Sequence, residues 1–241
     1  GADVLTAAIA GYEAVCRVGM ASPHGFHARG LHATAVAGVF AAAVVAARLL
    51  DLDAAVLAQA LGIAGSGASG LLEFLSTGSS TKQLHPGSAS MNGILAARLA
   101  AAGATGPVSV FEGPRGLYAT MADREVDLDA ITRELGSTWQ VADVGIKPYP
   151  ACQLMHATLD AVAAITEPVD PSEVVEIVAG AHADASPIVC EPAERKVRPR
   201  TPYDAKFSLQ WSVAALLADG CLSVDSYTAE SVARPEIAAL A

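Results

Sequence analysis

Apolar residues recur at helical spacing through the first half of the chain. Over 4–19 they stand three and four positions apart, which is typical of an amphipathic helix with one buried face. The longer stretch 32–50 is apolar nearly all round and predicts a buried helix, and a further long helix is predicted over 86–102. The pattern therefore predicts an all-helical domain over residues 1–136.

Capping residues mark several helix ends in this domain. Asp53 is placed to cap a helix over 54–64, since its carboxylate can accept a backbone N–H of the first turn. Gly103 fits the position that follows a helix end, where glycine is favoured. Loops at 20–30 and 104–116 and a short helix at 127–135 complete the prediction.

The pattern changes after residue 136. Apolar and polar residues alternate over 174–181, as in a half-buried strand, and 138–147 and 188–190 also have strand character. Helical spacing returns in two segments, 152–165 and 203–218. The predicted fold class is mostly α with a smaller α+β part: the helical domain is followed by an α+β lid domain over 137–241.

Composition and charge narrow the function classes. The 241 residues carry a net charge of −10, with 52% hydrophobic and 5% aromatic residues. The apolar fraction excludes disorder, and the acidic balance argues against nucleic-acid binding. The uncharged runs contain polar or glycine-rich stretches, so no membrane span is expected. Four widely spaced cysteines and no visible signal-peptide pattern predict a cytoplasmic protein.

Three histidines lie just before or at the start of the predicted helix over 32–50. His24, His27 and His32 have no carboxylate or thiolate beside them in the sequence, so we expect no metal site, and structural roles for the first two. His32 differs because it stands at a helix start, where the helix dipole favours an anion. An imidazole there can act as an acid, a base or a carboxylate donor.

A polar turn precedes the predicted helix over 86–102. It contains Ser80, Thr81, Lys82 and His85, whose hydroxyl, ammonium and imidazole groups can bind an oxyanion. The spacing is not that of a phosphate-binding P-loop. A solvated helix start is the alternative interpretation.

Two further segments carry candidate chemistry. Lys147 begins a Pro-rich extended entry into a helix, and Cys152 and His156 share one face of that helix. Cys152 is a candidate proton carrier or nucleophile, or alternatively a buried core residue. The basic run 195–200 is interpreted as a solvated loop, which can also attract polycarboxylates.

Seven segments occur in an order that resembles the MmgE/PrpD superfamily, which includes 2-methylcitrate dehydratase, cis-aconitate decarboxylase and iminodisuccinate epimerase. The resemblance covers nearly the whole chain. The segments are AAIAGYEAVCRVG (7–19), LHATAVAGVFAAAVVAARLL (31–50), ALGIAGSGASGLLEF (60–74), TKQLHPGSASMNG (81–93), VFEGPRG (110–116), KPYPACQLMHATLD (147–160) and DAKFSLQWSVAALLADG (204–220).

The resemblance implies a large helical domain and an α+β lid in a homodimer. It also implies a small di- or tricarboxylate bound between the domains, without metal or organic cofactor. It places family positions at His32, Lys82, Lys147 and His156. Together with the chemistry of the residues, this predicts His32, Lys82, Lys147 and Cys152 as catalytic, and Ser80, Thr81, His85 and His156 as substrate-binding.

Two departures from the family pattern affect the functional prediction. Cys152 stands where the decarboxylase has a pocket histidine, and the chain lacks helical segments that family members have upstream and at the end. The predicted function is a cofactor-independent hydro-lyase similar to 2-methylcitrate dehydratase. The alternatives are an epimerase or isomerase of a dicarboxylate, or a truncated, non-catalytic scaffold that binds carboxylates.

Overall fold

The computed structural model describes residues 1–165 and 169–241, and these form two compact units. Unit 1 contains Gly1–Phe74 and Thr81–Val144, and unit 2 contains Leu75–Ser80 and Gly145–Ala241. The boundary after residue 136 stays a prediction. None of the helices in the described residues has both the length and the apolar content needed to cross a bilayer.

Helices dominate residues 1–144, and the long ones agree with the hydrophobic pattern. The helices are α1 (Ala2–Met20), α2 (Gly25–Ala28), α3 (Ala33–Leu49), α4 (Ala54–Gly65), α5 (Phe74–Thr77), α6 (His85–Ala101) and α7 (Leu117–Met121). Shorter 3₁₀ turns occupy Ser80–Leu84, Leu128–Ile131 and Gln140–Asp143. The expected helix at 127–135 is therefore reduced to one 3₁₀ turn, and the expected loop at 20–30 contains α2.

The predicted caps are confirmed. The Asp53 carboxylate accepts the backbone N–H of Val56 at 2.9 Å and so begins α4. Gly103 has a φ of +93° just after α6, a conformation that residues with a side chain rarely adopt. Both ends were predictable because capping is a local interaction.

Helices α3 and α6 pack closely and start side by side. A side chain at Gly93 of α6 would collide with backbone atoms of Val39 and Ala43 in α3, so glycine is required for this approach. Alanines such as Ala97 continue the contact within a buried cluster. The alanine-rich composition therefore serves the close packing of helices.

A buried ion pair in α1 holds the segment that follows Leu128–Ile131. Arg17 Nε donates to Glu13 Oε1 at 2.6 Å, and its other nitrogens donate to the carbonyls of Arg133 at 2.6 Å and Thr138 at 3.1 Å. Glu13 Oε2 in turn accepts the backbone N–H of Gln140 at 2.8 Å. These backbone groups thus bond to side chains of α1 and not to a neighbouring strand.

The described residues of 145–241 form short helices joined by irregular segments, without the predicted strands, so the α+β lid prediction is wrong. The helices are α8 (His156–Ala163), α9 (Ser186–Val189), α10 (Ala193–Val197), α11 (Pro202–Ala205), α12 (Leu209–Asp219), α13 (Ala229–Val232) and α14 (Pro235–Leu240). Short 3₁₀ turns lie at Gln153–Met155, Pro171–Glu173 and Val224–Ser226. Across the described ranges, β pairing is confined to one isolated bridge in unit 1, Leu31 with Leu71.

None of the three predicted strands forms, and the physical reason is different for each. The 138–147 segment forms the 3₁₀ turn held by Glu13 and Arg17, and 188–190 falls mostly in α9, where backbone bonds run four residues back. The alternation over 174–181 has no partner strand among the described residues, and Val175 is 98% exposed. Alternation predicts a strand only where a second strand can pair with it.

A core around Trp211 organises unit 2. Trp211, Met155, Leu159 and Ile237 are fully buried and pack together. The predicted helix over 203–218 is split into α11 and α12, since the Ser208 hydroxyl accepts the backbone N–H of Trp211 and begins a new helix. The helix predicted over 152–165 likewise starts as a 3₁₀ turn before α8.

We expect Arg17→Met to lower the free energy of unfolding by about 3 kcal/mol, because it leaves the buried Glu13 carboxylate without its partner. Urea denaturation measures the change. Arg48→Met is the matched control, since the Arg48 side chain is 52% exposed and forms a surface pair; it should change stability by less than about 0.5 kcal/mol. Equal effects of the two substitutions would contradict this role for Arg17.

Candidate functional site

Two histidines meet where α3 and α6 begin. His32 is the residue before α3, and His85 is the first residue of α6. Their Nδ1 atoms lie 3.0 Å apart, and both residues are more than nine-tenths buried. Neutral imidazole carries one N–H, so this short contact holds one proton, donated by one ring to the other. The sequence predicted both residues, but not that they would be hydrogen-bonded to each other.

The backbone at Gly70 lies next to the His32–His85 pair. The His32 N–H donates to the Gly70 carbonyl at 2.8 Å, and Gly70 has a φ of +112°. A Cβ at Gly70 would lie 3.3 Å from His85 Nδ1 and 2.6 Å from the Cβ of Ala35. Gly70 therefore leaves the space that the two rings occupy. Its position within a glycine-rich run was the only sequence signal.

Lys82 brings a positive charge to the same part of unit 1. Its Nζ lies 5.9 Å from the centre of the Phe74 ring, and the Phe74 and His85 rings pack in a T-shaped arrangement with centres 6.1 Å apart. Burial first, and then the Lys82 charge, hold the pKa of His85 below its usual range. Burial, His24 and Lys82 lower the pKa of His27 in the same way. Phe74 was missed by the sequence analysis, because an aromatic residue in an apolar run carries no chemical signal.

The hydroxyl residues of the polar turn lie beside Lys82 in the sequence. Ser80 and Thr81 open the 3₁₀ turn Ser80–Leu84, and both are exposed. Ser80 is the last residue of its stretch of unit 2, and Thr81 belongs to unit 1. Their assignment as substrate-binding residues stays a prediction, as does that of His85.

In unit 2, two predicted residues, Lys147 and His156, contact the same backbone carbonyl. Lys147 Nζ donates to the Ala151 carbonyl at 3.5 Å, and His156 Nε2 lies 3.4 Å from the same oxygen. Cys152, next in the chain, donates its backbone N–H to the Lys206 carbonyl at 2.8 Å. Lys147 is exposed, Cys152 is half-buried and His156 is buried. The roles predicted for these residues remain predictions.

A buried lysine was missed by the sequence analysis. Lys196 lies within the basic run 195–200, which was expected to be a solvated loop, but it belongs to α10 and is 6% exposed. Its Nζ donates to the carbonyls of Ile188 and Phe207, each at 2.7 Å. Burial lowers the pKa of Lys196, and Asp204 opposes that shift. The solvated-loop prediction is therefore wrong for this residue.

Some groups in the site are suited to acid–base chemistry and others to holding anions. The imidazoles of His32 and His85 can transfer protons near neutral pH, and an ammonium such as that of Lys82 can hold a carboxylate. Among the described residues, no group of three or more His, Cys, Asp or Glu side chains is arranged to hold a metal ion.

Comparison with known proteins finds domains of one family along most of the chain. The MmgE/PrpD N-terminal domain matches residues 1–128, and the MmgE/PrpD C-terminal domain matches residues 149–241. The cis-aconitate decarboxylase of Aspergillus terreus is 33% identical over 170 residues, which cover 67% of this chain and 34% of the relative. Those of mouse and human are 27% and 26% identical, and each match covers 86% of this chain and 42% of the relative. The chain thus spans less than half the length of these relatives.

We expect the free energy of unfolding to fall as the pH is lowered below about 6.5, the ordinary histidine pKa. Unfolded histidines take up protons there, whereas folded His27 and His85, whose pKa values are lowered, resist protonation. Their contribution is fully present above that pH. Urea denaturation at several pH values should show a shallower dependence for His27→Gln than for the wild type. His182→Gln, at a side chain that is 76% exposed, is the control and should follow the wild type. An unchanged pH dependence in His27→Gln would contradict the role assigned to burial.

Proposed function

This chain belongs to the MmgE/PrpD family, and we propose on that basis that it acts as a lyase on small polycarboxylic acids. The observation that carries the proposal is the buried His32–His85 pair beside the Lys82 amine. The names of the relatives, cis-aconitate decarboxylases, support a carboxylate as substrate.

The chemistry of such a lyase requires a proton transfer at a carbon close to a carboxylate. A base must lie near the acidic C–H, and a cation must hold the carboxylate where negative charge develops. In this proposal His32 transfers the proton and Lys82 binds a carboxylate, with the Ser80 and Thr81 hydroxyls as further donors. Imidazole suits the first role because it is partly unprotonated near neutral pH.

The unit 2 residues keep their predicted roles as part of the proposal. Lys147 supplies an amine for a carboxylate, and the Cys152 thiol carries a proton. His156 is proposed as a substrate-binding residue. Support comes from residue type and from the arrangement of Lys147 and His156 on the Ala151 carbonyl.

The preferred reaction is the dehydration of a 2-methylcitrate-like acid. The second candidate is decarboxylation, which the names of the relatives favour. The cysteine at position 152, where the decarboxylase pattern has a histidine, is the reason for placing dehydration first. Epimerisation of a dicarboxylate and a non-catalytic carboxylate-binding scaffold remain alternatives. A homodimer and a cytoplasmic location also remain proposals.

Turnover assays distinguish these reactions. The purified protein should convert 2-methylcitrate or citrate to an unsaturated acid, which is followed by the absorbance of the new alkene. Conversion of cis-aconitate to a decarboxylated acid, detected by NMR, would instead establish the second candidate. Carboxylate binding without turnover of any of these acids would support the scaffold alternative and contradict the lyase proposal.

Lys82→Ala should reduce kcat/KM at least about tenfold, roughly 1.4 kcal/mol of transition-state binding, because a carboxylate loses its cation. Steady-state kinetics on the accepted acid measure this loss. Arg98→Ala is the matched control: Arg98 is an exposed cation in the last turn of α6 and should leave the kinetics unchanged. Normal kinetics in Lys82→Ala would exclude the role of Lys82.

A further inference from the structure

We propose that two arginines of the basic run, together with Thr201, hold the segment Leu75–Ser80 and so position a hydroxyl group for the substrate. The positioning residues are Arg195 and Arg200, and the hydroxyl group is that of Ser80. The part of the proposal that concerns the substrate rests on the proposed function above. The hydrogen bonds that hold the segment lie within unit 2 and do not depend on that function.

Three side chains donate hydrogen bonds to two carbonyls of the segment. Arg195 Nη2 donates to the Ser76 carbonyl at 2.7 Å, and Arg200 Nη2 donates to the same oxygen at 3.3 Å. A carbonyl oxygen has two lone pairs and can accept both bonds. The Thr201 hydroxyl donates to the Gly78 carbonyl at 3.1 Å. The bond from Arg195 is the strongest of the three, because it is the shortest and its donor is charged.

A buried carboxylate holds two of these donors in place. The Asp204 side chain is 8% exposed, and its Oδ2 accepts the backbone N–H of Arg200 at 3.3 Å and lies 3.5 Å from Arg200 Nε. The backbone N–H of Asp204 donates to Thr201 Oγ1 at 3.0 Å, at the start of α11. Arg200 and Thr201 are therefore fixed by contacts of their own before they bond to the segment.

The segment passes close to Asp204 at a glycine. Gly78 has a φ of +69°, and a Cβ at this position would lie 3.2 Å from both Cβ and Cγ of Asp204. A side chain here would be strained by the backbone conformation and crowded by the carboxylate. The glycine thus allows the approach that brings its carbonyl within reach of Thr201.

The arginines of the basic run differ in their surroundings. Arg195 is half-buried and bonds to a residue 119 positions away in the chain, whereas Arg198 is exposed. Attraction of polycarboxylates by charge, the role first considered for this run, acts over a distance and requires no fixed partner. The specific bond from Arg195 therefore indicates a holding role, and Arg198 provides a matched control of equal charge.

The held carbonyls lie just before the polar turn. Ser80 follows Gly78 by two residues and is the last residue of this stretch of unit 2. Fixing the backbone at Gly78 limits the positions that the Ser80 hydroxyl can take. A donor that is held before the substrate arrives loses less conformational freedom on binding. We therefore expect the arginines to affect substrate affinity more than the chemical step.

Hydrogen exchange followed by mass spectrometry tests the hydrogen bonds without any substrate. In Arg195→Met, the backbone amides of Leu75–Ser80 should exchange about tenfold faster than in the wild type, because a charge-assisted bond to the segment is lost. Arg198→Met removes the same charge from the same run and should leave this exchange unchanged. Amides of α12 report on unit 2 as a whole and should exchange alike in all three proteins. Unchanged exchange of the segment in Arg195→Met, or an equal acceleration in α12, would overturn the proposal.

A second pair of variants tests the contact at Gly78 and does not depend on whether Arg195→Met folds. Thr201→Val has nearly the same shape without the hydroxyl and should speed the exchange of Leu75–Ser80 about threefold or more. Thr201→Ser retains the hydroxyl and should exchange as the wild type does. If the two variants exchange alike, this contact does not hold the segment and the proposal is wrong.

Steady-state kinetics measure the consequence for the substrate. In Arg195→Met we expect KM to rise about fivefold while kcat changes by less than about twofold, because binding is weakened and the chemistry is not. Arg195→Lys keeps a charged donor and should restore part of the affinity. Arg198→Met should match the wild type. An unchanged KM in Arg195→Met, in an active protein, would refute the positioning role.

A double-mutant cycle assigns the effect on KM to Ser80. If Arg195 acts through the Ser80 hydroxyl, Arg195→Met should change KM by less than about twofold once Ser80→Ala is present. Additive effects of the two substitutions would contradict this assignment. Should hydrogen exchange change as expected while no acid is turned over, the substrate part fails with the proposed function, and the holding of the segment stands.

Discussion

The close approach of α3 and α6 is the constraint on which unit 1 depends. Gly93 lies against the backbone of Val39 and Ala43, where any side chain would collide, and alanines continue the contact. Because the two helices start together, the residues at their starts, His32 and His85, meet at 3.0 Å. The same small residues that allow dense helix packing therefore also place the candidate acid–base pair.

Burial of polar groups is compensated differently in the two units. In unit 1 the buried Arg17 is paired with Glu13 and bonded to backbone carbonyls of the segment that follows. In unit 2 the buried Lys196 has two carbonyl acceptors and a nearby Asp204. Each replaces lost hydration with hydrogen bonds, and each ties an irregular segment to a helix. The side-chain hydrogen bonds of Arg17 and Lys196 thus fix irregular segments of the backbone, as backbone pairing between strands does in folds that contain sheets.

Family membership and site geometry together narrow the functional class. The relatives are named for a reaction that removes a carboxyl group, and a neutral imidazole beside an ammonium suits proton transfer on a carboxylate. Dehydration, epimerisation and decarboxylation share that requirement, so the pair in unit 1 supports the class more strongly than any one reaction. Selection among them depends on how the substrate is held, which the imidazole pair alone does not determine.

The sequence by itself determined the long helices, the Asp53 cap, the Gly103 helix end and the family, because periodicity and capping are local properties. It also singled out His32, Lys82 and His85 by residue type and position. Only the tertiary structure decided that the alternating segment 174–181 has no strand partner among the described residues, that Lys196 is buried and that His32 bonds to His85. These are contacts between residues distant in the chain, and their formation depends on packing that no local pattern encodes.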